Sequence, residues 1–192
     1  EIRITSNLAF LPVNENNLIY KAIKLLKDEY HFPGGVSVDL NKFIPVAAGM
    51  AGGSTDAAAA LYGMNQMFDL GLNMEQLKER GVKIGADVPY CLMRGTALAE
   101  GIGEKLTRLP RMPLCYILVG KPGVNVSTKL AYENLGLDTI TSHPDIDGQI
   151  RCIEEGDLYG LTSRMENVFE PGIIRNYPVI QEIKDLMESA GA

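Results

Sequence analysis

The residues best suited to chemistry lie in Pro45-Val-Ala-Ala-Gly-Met-Ala-Gly-Gly-Ser-Thr55, with Asp56-Ala-Ala-Ala-Ala-Leu61 directly behind. Small residues at Ala47, Ala48, Gly49, Ala51, Gly52 and Gly53 stand immediately before an expected helix. Such a loop lets backbone N–H groups converge on an anion while Cβ atoms stay out of the way. The helix that follows aims its unpaired amides and the positive end of its dipole at the same place. Ser54 and Thr55 add hydroxyls that can touch phosphate or an ion beside it. On this reading Gly52→Val pushes a side chain into the phosphate site. Alanine resists positive φ, so Ala47, Ala48 and Ala51 are expected to keep ordinary backbone angles. The alternative is a glycine hinge followed by an alanine-rich helix packed tightly on a sheet, and spacing alone leaves both readings open. Two familiar phosphate motifs are absent. No lysine stands between Gly49 and Asp56, and Ala51 takes the place of the second glycine in a dinucleotide fingerprint.

Gly85-Ala-Asp87-Val-Pro89 is the second feature. An aspartate between a small-residue turn and a proline is held in one place. Beside a substrate hydroxyl, Asp87 could take its proton; otherwise it is a turn residue bonded to its own backbone. Asp145-Ile-Asp147-Gly148 has the wrong spacing for a calcium loop and reads as a helix-capping turn. Cys91, Cys115 and Cys152 offer neither zinc spacing nor a disulfide framework, and are expected as buried free thiols. His31 and His143 read as loop residues, and no set of metal ligands is legible.

The elements that must position these residues follow from periodicity. Residues 1–5 alternate like a strand, and Asn17 or Asn16 caps a helix over Leu18–Leu26. Val36, Val38 and Leu40 alternate with polar residues as a half-buried strand. Helices are expected from about Ser54 to Phe68 and from Met74 to Arg80. From Tyr90 to Leu109, short extended runs joined at Glu100-Gly-Ile-Gly103 predict hairpins. Residues 108–113, with Pro110 and Pro113, read as a linker, and Leu114–Val119 as a buried strand. A helix capped by Ser127 or Thr128 is expected through Leu135, and helical periodicity dominates from Ile146, most clearly over Val179–Ser189. The mixture without a regular βαβ repeat predicts an α+β chain in two parts, residues 1–110 and 111–192.

The 192 residues carry 18 Lys+Arg against 24 Asp+Glu, a net charge of −6, and 46% are apolar. That composition fits a globular protein and excludes a disordered or collagen-like chain. The acidic balance argues against a nucleic-acid or anionic-membrane binder, which needs a basic footprint. It leaves room for a phosphate ligand, because backbone amides hold phosphate without net charge. No stretch reaches the roughly 20 apolar residues of a membrane span. Beginning on Glu1 and ending on Ala192, the chain is expected to be a fragment of a longer protein.

Taken together, Pro45–Ala58 and Gly85–Pro89 resemble the motifs of the GHMP kinase superfamily. With Gly95-Thr-Ala-Leu-Ala and Gly101-Ile-Gly103-Glu104, they are similar to the branch that phosphorylates a cytidine-diphosphate-linked methylerythritol. The resemblance implies ATP-dependent phosphorylation of a 2-hydroxyl on the erythritol portion, in the non-mevalonate route to isoprenoid precursors. It implies ATP and Mg²⁺ as cofactors, a small-molecule cytidine-diphosphate substrate, no nucleic-acid or membrane partner, and a cytoplasmic location. Pro45, Val46, Ala47, Ala48, Gly49, Met50, Ala51, Gly52, Gly53, Ser54 and Thr55 would line the ATP phosphates. Asp87 would be the catalytic base, Thr128 and Tyr132 would sit on the substrate side, and Asn17 and Leu18 near the adenine. The implied fold is an N-terminal α/β domain with a left-handed βαβ crossover, joined to an incomplete ferredoxin-like C-terminal domain. That branch's opening Lys-Ile-Asn-Leu and Gly-Tyr-His elements, which the resemblance implies supply an active-site lysine and cytidine contacts, and its closing Gly-Ser-Gly do not occur in these residues, so the fragment alone is expected to bind poorly and turn over little. Other readings are a superfamily kinase acting on mevalonate, phosphomevalonate or homoserine, and a non-catalytic nucleotide-binding relative.

Overall fold

Alternating apolar positions build the first two strands, β1 (Ile2–Ser6) and β2 (Val36–Leu40), which pair in parallel from Ile2↔Val36 to Ser6↔Leu40. The computed structural model describes residues 1–124, 126, 135 and 143–192, and divides into two units, Glu1–Arg108 and Leu109–Ala192. Parallel strands cannot be joined by a tight turn, and helix α1 (Leu18–Tyr30) supplies the crossover. Asn17 starts it, its side-chain oxygen accepting from the Ile19 N–H at 2.9 Å. His31 ends it in a left-handed conformation.

Helix α2 (Gly52–Met67) buries Ala57, Ala58, Leu61 and Met64, a stripe at helical spacing. It packs against α1, whose buried face is Ile19, Ala22, Ile23 and Leu26. The alanines let the two backbones approach closely. Buried Asn65 fixes the far end of α2, donating to the Leu72 carbonyl and accepting from the Leu72 N–H, both at 2.9 Å. A capping box between Asn73 and Gln76 then opens α3 (Met74–Gly81). Gly81 is where α3 meets α4 (Val88–Met93), since a methyl group there would stand 2.9 Å from Val88 Cγ1.

Strands β3 (Ala97–Glu100) and β4 (Lys105–Arg108) form the expected antiparallel hairpin. Residues 90–93, expected as extended, are instead helical. Pro89 lies in the first turn of α4, where its fixed φ favours a helix start.

In the second unit the described residues form four helices and no strand: α5 (Ile146–Glu155), α6 (Leu158–Thr162), α7 (Glu170–Asn176) and α8 (Val179–Ser189). Asp145 caps α5 through the Gly148 N–H at 2.9 Å, so the capping reading of that turn holds. Cys152 and Leu161 are buried between α5 and α6. Leu114–Val119 is not a buried strand: Leu114 and Tyr116 are fully exposed, and Ile117, Leu118 and Val119 are exposed as well. An apolar run becomes a strand only where another strand supplies ladder bonds, and no described residues do so here. Of the three free cysteines only Cys152 is buried; Cys91 and Cys115 are half-buried. The helix expected over 127–135 falls outside the described residues, as do Thr128 and Tyr132.

Candidate anion cradle and active site

Helix α2 begins without a side-chain cap. Its N-cap, Ala51, has no hydroxyl or carboxylate to offer, and the first ladder bond runs from the Thr55 N–H to the Ala51 carbonyl at 2.8 Å. The N–H groups of Gly52, Gly53 and Ser54 therefore have no partner within the helix. In front of them the loop takes left-handed backbone at alternate residues: Ala47 (φ 54°), Gly49 (φ 69°) and Ala51 (φ 49°). Alternation of hand turns successive N–H groups toward one side and makes a concavity for an anion. This corrects the expectation from alanine chemistry, since two of the three alanines adopt the angles that alanine resists. Each costs about 1–2 kcal/mol. The loop is open to solvent at Pro45, Val46, Gly49 and Met50.

Gly52 faces away from this concavity. A Cβ there would lie 2.8 Å from Lys42 Nζ and 2.9 Å from Ile44 Cγ2, so a larger residue would collide with the segment leaving β2 rather than enter the phosphate site. That reverses the direction expected for Gly52→Val. Gly53 faces α1, with Leu18 Cδ1 3.4 Å from its Cβ position. Leu18 thus abuts the start of α2. Asn17 is buried, with its oxygen spent on the α1 cap and its nitrogen donating to the Pro12 carbonyl at 2.7 Å. Its contribution to any pocket is to place Leu18.

Three stretches distant in sequence meet at the start of α2. A methyl on Gly85 would come 3.9 Å from Ser54 Oγ, and Thr55 Oγ1 lies 3.5 Å from Cys91 Sγ of α4. A methyl on Gly103, in the β3–β4 turn, would come 3.8 Å from the Ala86 carbonyl. Between them stands Asp87, the N-cap of α4. It is exposed, makes no side-chain cap bond, and has no side-chain partner among the described residues. A turn aspartate bonded to its own backbone would be engaged, so that alternative fails. The hairpin is fastened to α4 by Tyr90, whose hydroxyl donates to the Gly95 carbonyl at 2.7 Å, and by Arg108, which donates to the Met93 carbonyl at 2.8 Å. Glu104 braces the turn by accepting from the Ile102 N–H at 2.7 Å. Hydrogen bonds from its own N–H and from that of Ile102 hold its carboxyl below the usual range.

Sequence reasoning did not single out Lys42 and Asp56. Lys42 is buried and its ammonium meets the Asp56 carboxylate at 2.5 Å beside Gly52. The available signal was a lysine two residues beyond β2, in phase with its inward positions Val36, Val38 and Leu40. Among the described residues no three His, Cys, Asp or Glu side chains gather as a metal cage. A divalent cation here would have to ride on an anionic ligand, with one or two protein oxygens such as the Ser54 hydroxyl completing its shell.

Residues 17–95 match the GHMP kinases N terminal domain. The chain is 64% identical, over all 192 residues and 67% of the relative's length, to a 4-diphosphocytidyl-2-C-methyl-D-erythritol kinase of Lachnospira eligens. It superposes on a crystal structure of 4-(cytidine 5'-diphospho)-2C-methyl-D-erythritol kinase with TM-score 0.77 and 26% identity, covering all of this chain and 66% of that one. A homoserine kinase from Cytophaga hutchinsonii shares the fold, with TM-score 0.76, 20% identity, and coverage of all of this chain and 67% of that one. The chain spans about two thirds of the length of the curated relatives it matches.

Proposed function

The chain belongs to the 4-diphosphocytidyl-2-C-methyl-D-erythritol kinase family of the GHMP kinases, and from that membership we propose which residues carry the reaction and how. The protein is an ATP-dependent kinase that phosphorylates the 2-hydroxyl of 4-diphosphocytidyl-2-C-methyl-D-erythritol, on the non-mevalonate route to isoprenoid precursors. The observation that carries the site assignment is the meeting of Ser54 with Gly85, and of Gly103 with Ala86, around an unpartnered Asp87.

Bound ATP supplies the transferable γ-phosphoryl group, and Mg²⁺ offsets its charge. The N–H groups of Gly52, Gly53 and Ser54, with the 47–51 concavity, bind the phosphates and stabilise the charge that develops during transfer. Leu18 closes the cradle on the α1 side. The Ser54 hydroxyl, which has no partner among the described residues, fits a cation carried on the phosphates. Asp87 accepts the proton of the substrate hydroxyl as its oxygen attacks the γ-phosphorus in line, and the bond to the β-phosphate oxygen breaks to release ADP. Thr128 and Tyr132 act on the substrate side.

In this reading residues 1–110 form the ATP-binding domain and 111–192 belong to the C-terminal domain. The protein works in the cytoplasm on a small molecule, without nucleic-acid or membrane partners. Its net charge of −6 supports the reading against nucleic acid and anionic membranes. The likeness to homoserine kinase is one of fold alone and does not favour that substrate. The test is ADP release by the full natural polypeptide carrying this sequence, across a panel of candidate alcohols. Turnover with 4-diphosphocytidyl-2-C-methyl-D-erythritol is expected; turnover only with homoserine, mevalonate or phosphomevalonate, or none at all, would overturn the proposal.

A further inference from the structure

Lys42 is one of the most buried charged residues of the described chain, 7% exposed, and it is held from both ends. Its backbone N–H donates to Asn7 Oδ1 at 2.7 Å and its carbonyl accepts from Asn7 Nδ2 at 3.1 Å. Asn7 itself follows β1 and donates its N–H to the Leu40 carbonyl. The side chain then crosses Gly52, where the absent Cβ leaves 2.8 Å to Nζ, and ends on Asp56 one turn into α2. The ammonium therefore sits against the first residue of the helix whose free N–H groups form the anion cradle. Asp56 brings a carboxylate to the same flank of the helix start, on the side of Gly52 away from the concavity, and a carboxylate that close to a phosphate site repels its ligand through the intervening turn.

From this geometry we propose that Lys42 is a positioning and charge-compensating residue of the phosphate cradle. It cancels the Asp56 carboxylate so that the start of α2 presents a net positive face to the nucleotide. This rests on the phosphoryl-transfer reading of the site. The two partners are then unequal. Removing Lys42 leaves an unpaired anion beside the cradle, whereas removing the Asp56 charge leaves an unpaired cation there. A mere structural clamp would make the two losses alike.

The experiment is equilibrium binding of ATP by calorimetry, with a thermal melt of each variant, on the full natural polypeptide. Lys42→Met is expected to weaken ATP binding about tenfold or more, the scale of one uncompensated charge at an interior contact. Asp56→Asn should bind ATP at least as tightly as the parent, and Lys42→Met with Asp56→Asn should return to within about threefold of it. Lys42→Arg, which keeps the charge, should also stay within about threefold. Equal weakening by both single substitutions with no recovery in the double, or unchanged affinity in Lys42→Met, overturns the proposal. Should Lys42→Met not fold, Asp56→Asn and Lys42→Arg carry the test, and a tenfold loss in either overturns it. A parent protein that binds no ATP overturns the nucleotide reading and this inference together. Parent binding with a symmetrical pattern of losses overturns this inference alone.

Discussion

Two glycines of one helix should respond to alanine with opposite signs. Gly→Ala inside a helix ordinarily gains about 0.5–1 kcal/mol, because glycine loses more conformational freedom on folding. Gly63, in the middle of α2, has nothing within 4 Å of its Cβ position and should realise that gain. Gly52, at the start of the same helix, should not. Its new methyl would stand 2.8 Å from Lys42 Nζ, 2.9 Å from Ile44 Cγ2 and 3.2 Å from Ile44 Cβ. A free lysine end could move aside, but this one is buried and tied to Asp56. Ile44 is branched at Cβ and stiff about χ1. Overpacking of this kind costs about 1–3 kcal/mol, which exceeds the helix gain and leaves a net loss of roughly 1–2 kcal/mol. For a chain of this size that lowers the melting temperature by roughly 2–8 °C in Gly52→Ala, while Gly63→Ala raises it by roughly 1–4 °C. Circular dichroism melts at 222 nm measure both. A Gly52→Ala protein melting at or above the parent would refute the packing argument and return Gly52 to a role inside the cradle.

Asp87→Asn should reduce turnover by about 100-fold or more while leaving the melting temperature unchanged, since the carboxylate caps nothing; steady-state kinetics beside a melt separates the two. Asn65→Ala strips the Leu72 N–H and carbonyl of their buried partners and should cost about 3 kcal/mol, read from urea unfolding. Glu104 has its pKa lowered in the folded state, so its support of the turn is present above the usual carboxylate range and is lost as pH falls through the lowered value. The Ile102 amide resonance should therefore titrate below the ordinary carboxylate midpoint, and Glu104→Gln should abolish that transition. Glu104 is half-buried on a surface turn and touches only that turn, so global stability should change little.

Much of this arrangement is legible in the sequence where one local rule decides the outcome. Val179–Ser189 follows from apolar spacing, α1 from its Asn17 cap, and the hairpin from Glu100–Gly103. The candidate site is legible as separate stretches, because small residues before a helix and an aspartate before a proline each carry their own physical reason. Their convergence is not, since Ser54 and Gly85 are brought together by the packing of α2 on α4. Leu114–Val119 shows the same boundary from the other side: composition states what a segment would bury, and only tertiary partners decide whether it does. Ala47 and Ala51 escape sequence reasoning because their intrinsic preference points the wrong way and the surrounding fold overrides it.

Those two alanines carry a further consequence. Together they hold roughly 2–4 kcal/mol of backbone strain within the loop itself. The shape of the cradle is thus fixed by the fold of the chain, and the cost of shaping it falls on folding. An arriving anion need not reorganise the loop, so more of its interaction energy survives as affinity. Stability and affinity here draw on one reservoir: any change that lets residues 47–51 relax makes the protein harder to unfold and weaker in its hold on what it binds.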